Sequence, residues 1–487
     1  MQNNKLMFSF SVILLVLLIM GCSQPDPTKA PITTNSKKAL EFYLQARDLS
    51  EKLRGQESIA LYQKAIQFDP DFAVAYLNLA FVMPTFKEFF EKLNQAKALV
   101  ENVSEAERHW ILGVDAGVNG YQMIQRDHYT KLVELYPEDE RAHNLLGNHY
   151  FGQQDYNNAI TQYKLALDIA PDFSQPYNQL GYALRFQGNF GEAEKVFQKY
   201  IELIPDDPNP YDSYAELLLR MGKYEESIAS YRKALEIDQH FVASHVGIAT
   251  NLNYSGRYEA AIKQLHVLLE GARNIGESRT AYFAMAVSYL SGGEIEKALD
   301  MQTEQLELSS EANDEAAMTA DMTVAGNILA ESGRSEIAIK MYEEAWKTIE
   351  SASLEKDVQE NNYRNLLYNS TKARINLGEL EVAALQAEEY RALVEAIQNP
   401  FQIRLANELD GIIAYERGQY GLALDMFQTS NQQNPYILYR TAQAFAGLGQ
   451  QDSALAYAEE AVSFNALNSM NQVFIRNPAQ DLIESLK

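Results

Sequence analysis

Cysteine and tryptophan are scarce in this chain of 487 residues, which has one cysteine, Cys22, and two tryptophans, Trp110 and Trp346. A single cysteine excludes an intramolecular disulfide and a zinc site built from several thiolates. The sequence also lacks the phosphate-binding motif G-x-x-x-x-G-K-[ST], the motifs G-x-G-x-x-G and G-x-S-x-G, and the zinc motif H-E-x-x-H. Its seven histidines do not cluster along the chain. We therefore expect no enzymatic activity, no metal site and no cofactor.

Basic residues are in the minority, with 41 Lys and Arg against 66 Asp and Glu and a formal net charge of −25. A chain this acidic repels the phosphate backbone of nucleic acids and the headgroups of anionic lipids. We therefore exclude nucleic acid as a partner. The charge favours basic partners, although it also serves solubility alone.

Long apolar runs are absent except at residues 6–20, which are apolar apart from two serines and follow Lys5. A bilayer span needs ~20 apolar residues. This shorter run has the proportions of a signal peptide, which we assign to residues 1–21. The run ends in Gly21 and Cys22, preceded by isoleucine and methionine, and resembles a bacterial lipobox. The resemblance implies that Cys22 is lipidated on sulfur and anchors the protein to a membrane.

Residues 22–36 contain three prolines among mostly polar residues. This composition predicts a flexible, extended tether between the lipid and the folded part. Ser23 stands where an aspartate would be typical of retention in the inner membrane. By this resemblance we expect the bacterial cell envelope, with the outer membrane favoured over the inner.

The rest of the chain repeats with a period of about 34 residues, a length typical of helix-pair repeats. The first series of small residues is Gly147, Gly181, Ala215 and Ala249; the second is Ala159, Ala193, Ser227 and Ala261; a series of large residues is Tyr163, Phe197, Tyr231 and Leu265. Gly188, Gly222 and Gly256 follow the first series by seven residues. The period and the order of small and large residues resemble the tetratricopeptide repeat (TPR) motif.

The resemblance implies an all-α superhelix, a TPR solenoid of about a dozen antiparallel helix pairs. Small residues let the helices of a pair approach closely, and each glycine supplies a left-handed turn between them. Further turn glycines occur at Gly293, Gly333, Gly378, Gly418 and Gly449, and the first three of these are spaced more widely than the earlier ones.

The spacing of the repeats divides the mature chain into two predicted arrays. We predict a regular TPR array over 37–273, with units of about 34 residues. A second TPR-like array over 274–487 has longer units, which we attribute to longer helices, and a C-terminal capping helix. Residues 84–105 are helical in pattern but lack the landmarks of a repeat. Either an atypical helix pair or a functional insertion fits them.

In TPR proteins the first helix of each pair lines a concave groove, at positions three before, one after and four after its small residue. Carried onto this chain, the rule selects Trp110, Asn144, Asn148, Phe151, Asn178, Tyr182, Arg185, Asp212, Glu216 and Asn253. Asparagine amides both donate and accept, so they can pair with the backbone of an extended peptide. The set does not match a carboxylate clamp, which needs several basic residues. These positions also fit ordinary solvated groove residues without a dedicated ligand.

These observations favour a lipid-anchored envelope scaffold or adaptor that binds envelope proteins or extended peptides in its groove. A lipid-anchored receptor for a small molecule or glycan is the first alternative. Such a receptor would need more exposed tryptophans and longer irregular loops than this sequence has. A sensory module that acts through a partner is the second alternative, since repeats leave no room for an output domain.

Overall fold

The structure is a computed structural model that describes residues 26–487. The predicted signal peptide and Cys22 lie outside the described residues. Residues 26–487 form 25 α-helices and one 3-10 helix, Val100–Asn102, and contain no strand. The predicted all-α fold class is confirmed. Within this range, no helix combines the length and the apolar character that crossing a bilayer requires.

The helices of the first half are α1 (Lys37–Glu51), α2 (Gly55–Phe68), α3 (Ala73–Phe81), α4 (Phe86–Ala98), α5 (Glu105–Val118), α6 (Gln122–Leu135), α7 (Glu140–Gly152), α8 (Tyr156–Ile169), α9 (Ser174–Phe186), α10 (Phe190–Leu203), α11 (Pro208–Arg220), α12 (Tyr224–Ile237), α13 (Val242–Tyr254) and α14 (Tyr258–Glu270). Those of the second half are α15 (Ile275–Ser291), α16 (Ile295–Glu311), α17 (Glu315–Glu331), α18 (Ser335–Ser351), α19 (Lys356–Asn376), α20 (Leu380–Ala396), α21 (Pro400–Glu416), α22 (Tyr420–Gln428), α23 (Pro435–Gly447), α24 (Gln451–Val462) and α25 (Met470–Leu486).

Consecutive helices pack as pairs, from α1 with α2 to α23 with α24, and α25 packs against the last pair. The described residues thus contain twelve pairs, as the repeat pattern predicted. We number these pairs as repeats 1 to 12. The first helix of each is its A helix and the second its B helix.

The two helices of a regular repeat meet where a small A-helix residue faces a large B-helix ring. A Cβ atom added to Gly147 would lie 2.6 Å from a ring carbon of Tyr163, and one added to Gly181 would lie 2.5 Å from Phe197. Both rings are fully buried. The constant separation in sequence between the small and the large residue is therefore a steric requirement of the pair.

The turn between the A and B helices of a regular repeat contains a left-handed residue, as predicted. Gly188, Gly222 and Gly256 have φ angles of 76°, 73° and 73°. Two repeats without this glycine use another residue in the same conformation, namely Leu53 at φ 60° in repeat 1 and Gln154 at φ 62° in repeat 4. The turn of repeat 2, between α3 and α4, has no residue at positive φ, so this atypical repeat departs from the common turn geometry.

The wider spacing after residue 274 comes from longer helices, as the sequence indicated. Helices α15 to α18, α20 and α21 each have 17 residues, and α19 has 21. Residues 84–105 contain α4 and the 3-10 helix, and α4 packs against the short α3. This region is therefore an atypical helix pair, the first of the two alternatives.

The second half of the superhelix lies against the first half. Asn399 Nδ2 at the start of repeat 11 donates to the Gly120 carbonyl of repeat 3 at 2.9 Å. Arg404 Nη2 donates to the Gln153 carbonyl at 2.9 Å, so repeat 11 also contacts repeat 4. Tyr254 of repeat 7 donates to the Ala466 carbonyl, which precedes α25. Repeats 3 and 4 therefore contact repeat 11, and repeat 7 contacts the segment that follows repeat 12.

The contact between Gly147 and Tyr163 makes a stability prediction. We expect Gly147→Ala to lower the free energy of unfolding by about 1–3 kcal/mol, because the added methyl overpacks the pair. Denaturant unfolding of both proteins measures the difference. Gly191→Ala in α10 is the matched control, since a Cβ atom there meets nothing within 4 Å. Equal loss of stability in the two variants would refute the steric account.

A candidate binding cavity in the first four repeats

The ten predicted groove residues all lie on A helices, but the structure divides them into two groups. Trp110 on α5 and Asn144 and Asn148 on α7 line a cavity of about 670 Å³. The other seven contact one another or neighbouring side chains of the superhelix. Sequence position alone does not distinguish the two groups.

The seven inner residues contact side chains within the array, although Arg185 Nε and Asn253 Oδ1 are buried without a hydrogen-bond partner. Tyr182 donates to Glu216 at 2.8 Å, and Arg185 Nη1 donates to the same carboxylate at 2.6 Å. Asn178 accepts a hydrogen bond from Ser213, and Asn253 donates one to Ser288. Phe151 packs edge-on against Phe186. These contacts leave the inner residues of repeats 4 to 7 engaged with one another.

Asp212 is a buried carboxyl at the centre of this inner group. Its Oδ1 atom accepts a hydrogen bond of 2.7 Å from Ser244. Burial raises the pKa of Asp212 to about 7 from an ordinary 3.8, the Ser244 bond lowers it, and the charge of Glu216 raises it again. Burial therefore favours the neutral acid at this position more than solvent exposure would.

The cavity of about 670 Å³ lies over the A helices of repeats 1 to 4. Its volume falls in the range of ~300–1,000 Å³ that ligand pockets occupy. Rings of Tyr43, Phe81 and Trp110 and amides of Asn78 and Asn144 contribute to its wall. The wall therefore combines aromatic surface with amide groups.

Five of the seven charged residues in the cavity wall form salt bridges with one another, namely Lys29, Arg47, Glu51, Glu140 and Arg141. Arg141 donates to both carboxylate oxygens of Glu51, at 2.8 and 3.0 Å. Glu140 accepts from Lys29 at 2.6 Å and also pairs with Arg141. Burial by itself would raise the pKa of Glu140, but these two cations hold the pKa below its ordinary value. Glu107 and Asp139, the other two acids of the wall, accept hydrogen bonds from the Thr33 and Ala30 N–H groups and form no salt bridge, so the wall keeps a net acidic charge.

Two polar atoms in the cavity wall have no protein partner. Trp110 Nε1 and Asn144 Oδ1 are both buried, and neither makes a hydrogen bond within the protein. The amide nitrogen of Asn144 is occupied, since it donates to Gln175 at 2.9 Å. Buried polar groups without a partner are uncommon and costly. Both atoms have almost no accessible surface, so a donor and an acceptor remain unpaired behind the cavity wall rather than open to the cavity.

Residues 29–35 lie along the edge of the cavity in an extended, hydrogen-bonded conformation. The backbone N–H groups of Ala30, Thr33 and Asn35 donate to the side chains of Asp139, Glu107 and Asp69 at 2.7, 2.8 and 3.3 Å. These carboxylates stand at or just before the starts of α7, α5 and α3. The structure therefore differs here from the flexible tether predicted for 22–36, because three successive repeats supply acceptors for this backbone.

The sequence rule missed the part of the cavity that repeat 1 contributes. Tyr43, Arg47 and Ser50 on α1 line the cavity, at positions three before, one after and four after Ala46. Ala46 precedes the buried ring of Tyr62 by the same separation in sequence that a regular repeat has between its small residue and its ring. Measuring back from Tyr62 would have found these three residues from sequence.

Two histidines expected to lie apart are in contact. Nδ1 of His109 on α5 is 2.9 Å from Nδ1 of His128 on α6. The positions of the histidines along the chain do not indicate this pair, because antiparallel packing joins residues that are distant in sequence. Burial lowers the pKa of both rings. Within residues 26–487, no three His, Cys, Asp or Glu side chains are grouped as metal ligands.

The raised pKa of Asp212 makes stability depend on pH. Its contribution is fully present below the unfolded pKa near 3.8 and is lost as the pH rises through about 7. Melting temperatures at pH 5 and pH 8 should therefore show Asp212→Asn becoming more stable relative to wild type at the higher pH. The exposed Asp206→Asn serves as the control and should follow wild type. Identical pH dependence in all three proteins would contradict this assignment.

Comparisons with known proteins find tetratricopeptide repeats in the first half of the chain. The family model described as Tetratricopeptide repeat matches residues 172–240, and one described as TPR repeat matches 147–185. No curated protein is significantly similar to the chain in sequence.

Solved structures similar to this chain include several TPR proteins. One from Parabacteroides merdae is 16% identical over 57% of this chain and 98% of its own, with a TM-score of 0.34. MamA is 20% identical over 34% of this chain and 91% of its own, with a TM-score of 0.29. YrrB, described as a TPR protein with an unusual peptide-binding site, is 18% identical over 37% and 92%, with a TM-score of 0.26. Together with the family matches, the helix pairs identify residues 147–240 as tetratricopeptide repeats within a longer array of the same architecture.

Proposed function

We propose that this protein is a lipid-anchored adaptor of the bacterial cell envelope that binds a partner protein or extended peptide through its concave face. The proposal assigns no catalytic role to the chain itself. The observation that carries it is the cavity of about 670 Å³ over repeats 1 to 4, with Trp110, Asn144 and Asn148 in its wall. Aromatic anchors beside amides are typical of sites that hold a peptide.

The same cavity supports a second candidate, a lipid-anchored receptor for a small molecule. Its volume of about 670 Å³ would accommodate a drug-sized ligand. The two candidates differ in what should copurify with the protein from native membranes. An adaptor would retain a polypeptide, and a receptor would retain a small molecule.

The anchor is tested by the chemistry of Cys22, whose neighbour Gly21 ends the proposed signal peptide. We expect cells fed a labelled palmitate analogue to incorporate the label into wild type and not into Cys22→Ser. The variant should also leave the membrane fraction, because the mature chain has no other proposed anchor. Labelling that persists in Cys22→Ser, or an unlabelled wild type, would refute lipidation. Separation of inner and outer membranes locates the labelled protein.

The binding face is tested with the two tryptophans as a matched pair. Trp110 lines the cavity, whereas Trp346 on α18 packs against Tyr363. After mild crosslinking in native membranes, we expect a specific partner to copurify with wild type and Trp346→Ala, and with Trp110→Ala at less than a tenth of the yield. Melting temperatures of both variants check that each remains folded.

Two outcomes of this experiment would contradict the adaptor proposal. Equal yields from the two tryptophan variants would show that the partner binds elsewhere. A wild-type protein that retains only a small molecule would favour the receptor candidate instead.

A further inference from the structure

A second cleft lies where the first half of the superhelix meets the second half, between repeats 3 and 4 on one side and repeats 10 and 11 on the other. Its volume is about 430 Å³, within the range of ~300–1,000 Å³ that ligand pockets occupy. None of the thirteen residues that line it is Asp, Glu, Lys or Arg, and seven are Asn or Gln. In a chain of which 22% is charged, this lining is suited to hydrogen bonds rather than to ion pairs.

Hydrogen bonds between the two halves hold the lining amides in place. Asn399 Nδ2 donates to the Gly120 carbonyl at 2.9 Å across the cleft. Gln402 Nε2 donates to Asn361 Oδ1 at 2.9 Å, and Arg364 Nη2 donates to the same oxygen at 3.2 Å. These bonds fix the side chains before a ligand binds, which lowers the entropy cost of binding.

Two amide nitrogens on facing sides of the cleft remain open. Asn148 Oδ1 accepts a hydrogen bond from Tyr163 at 2.9 Å, and Asn361 Oδ1 accepts from Gln402, but within residues 26–487 neither Nδ2 atom donates to a protein group. Both residues are half-buried, and neither nitrogen is among the side-chain atoms buried without a partner. A ligand in the cleft can therefore accept hydrogen bonds from both.

His149 adds an acceptor to these two donors. Its Nδ1 atom lies 2.8 Å from Gln125 Oε1, which accepts only, so Nδ1 carries the proton and Nε2 accepts. Burial, together with the charge of Arg126, lowers the pKa of His149 to about 4, so the ring is neutral near pH 7. His149 keeps 6% of its surface exposed and lines the cleft beside Asn148.

Two arginines lie behind the lining residues. Arg364 donates to Asn361 Oδ1 at 3.2 Å, and Arg404 donates to the Gln153 carbonyl at 2.9 Å. Their charge disfavours a cationic ligand. Neither arginine lines the cleft, so an anionic ligand would find no guanidinium to pair with. The cleft therefore favours a ligand without charge.

From this geometry we propose that the cleft binds an uncharged, polyhydroxylated ligand, a neutral saccharide, between Asn148 and His149 of repeat 4 and Asn361 of repeat 10. A hydroxyl group both donates and accepts, so neighbouring hydroxyls can bond the amide nitrogens and the imidazole together. Phe401 and Val118 supply apolar surface for the C–H face of a sugar ring.

This ligand would join the two halves of the superhelix, because its contacts come from α7 and α19. Binding to the folded protein alone raises the melting temperature by mass action. The proposal goes beyond the adaptor function, since the cleft shares only Asn148 with the cavity over repeats 1 to 4.

Calorimetric titration and melting temperatures of the purified protein test the proposal. The probes are three neutral disaccharides, cellobiose, maltose and N,N′-diacetylchitobiose, and two charged ones, the diamine chitobiose and digalacturonic acid. We expect saturable binding of at least one neutral disaccharide, with a higher melting temperature at saturation. Both charged disaccharides should bind at least roughly tenfold more weakly.

Three isosteric variants locate the site. Asn148→Asp and Asn361→Asp keep the Oδ1 acceptor but replace the donating nitrogen with an oxygen, so each should weaken binding roughly tenfold. Asn157→Asp is the matched control, because it adds the same charge at an exposed position and keeps the Oδ1 atom that accepts from Gln187. It should bind as wild type. Melting temperatures without ligand check that all three variants are folded.

Several outcomes would overturn the proposal. They are the absence of saturable binding by all three neutral disaccharides, tighter binding of either charged one, and equal weakening by all three variants. Because Asn361 lines the cleft alone, a loss with Asn148→Asp but not with Asn361→Asp would place the sugar in the other cavity. Failure of partner capture would leave this proposal intact, since the adaptor function is tested through Trp110.

Discussion

The close approach of the two helices within each repeat is the constraint on which the rest of the structure depends. Gly147 and Gly181 leave space for one ring each, because an added Cβ atom would lie 2.6 or 2.5 Å from that ring. The same arrangement recurs late in the chain, where Gly411 faces Phe427. Repeats that share the same internal geometry are stacked with a constant rotation between neighbours. A constant rotation produces a superhelix. The concave face and its cavity are consequences of this local contact.

The superhelix continues until its successive turns touch, which has consequences for the inner face. Asn399 reaches back to Gly120, and Arg404 reaches back to Gln153, so the second turn supports the first. In repeats 5 and 6, facing A helices come close enough for Tyr182 and Arg185 to bond Glu216. Those contacts replace water as partners of the inner polar groups. At repeats 1 to 4 the inner face instead retains an open volume, bordered by the chain's own residues 29–35.

The period of the sequence was enough to predict the fold, because each landmark acts through contacts within one repeat. A glycine at positive φ in the turn and a ring at a constant separation after a small residue are local requirements. The cavity was predictable in part, since the same rule placed Trp110, Asn144 and Asn148 in its wall. The rule could not show that Arg185 and Glu216 hydrogen-bond to each other, because that contact depends on the distance between A helices of different repeats.

Residues 29–35 illustrate the same limit of sequence reasoning. Prolines and polar residues predict an extended chain, and the segment is extended. Its binding needs Asp69, Glu107 and Asp139 to line up, and these residues are brought to one edge only when three repeats have stacked. Composition therefore predicts the conformation of the segment but not the surface that binds it.

Charge has different effects on the outer surface and in the cavity. The whole chain carries a formal net charge of −25, whereas the cavity wall has three basic and four acidic side chains, and the three basic ones pair with two of the acids, Glu51 and Glu140. Charge on the outer surface acts over a Debye length of roughly 10 Å and affects how often a partner approaches. The cavity wall acts only at contact, where burial of unsatisfied or charged groups is costly. The approach of a partner and its contact with the cavity therefore depend on different residues.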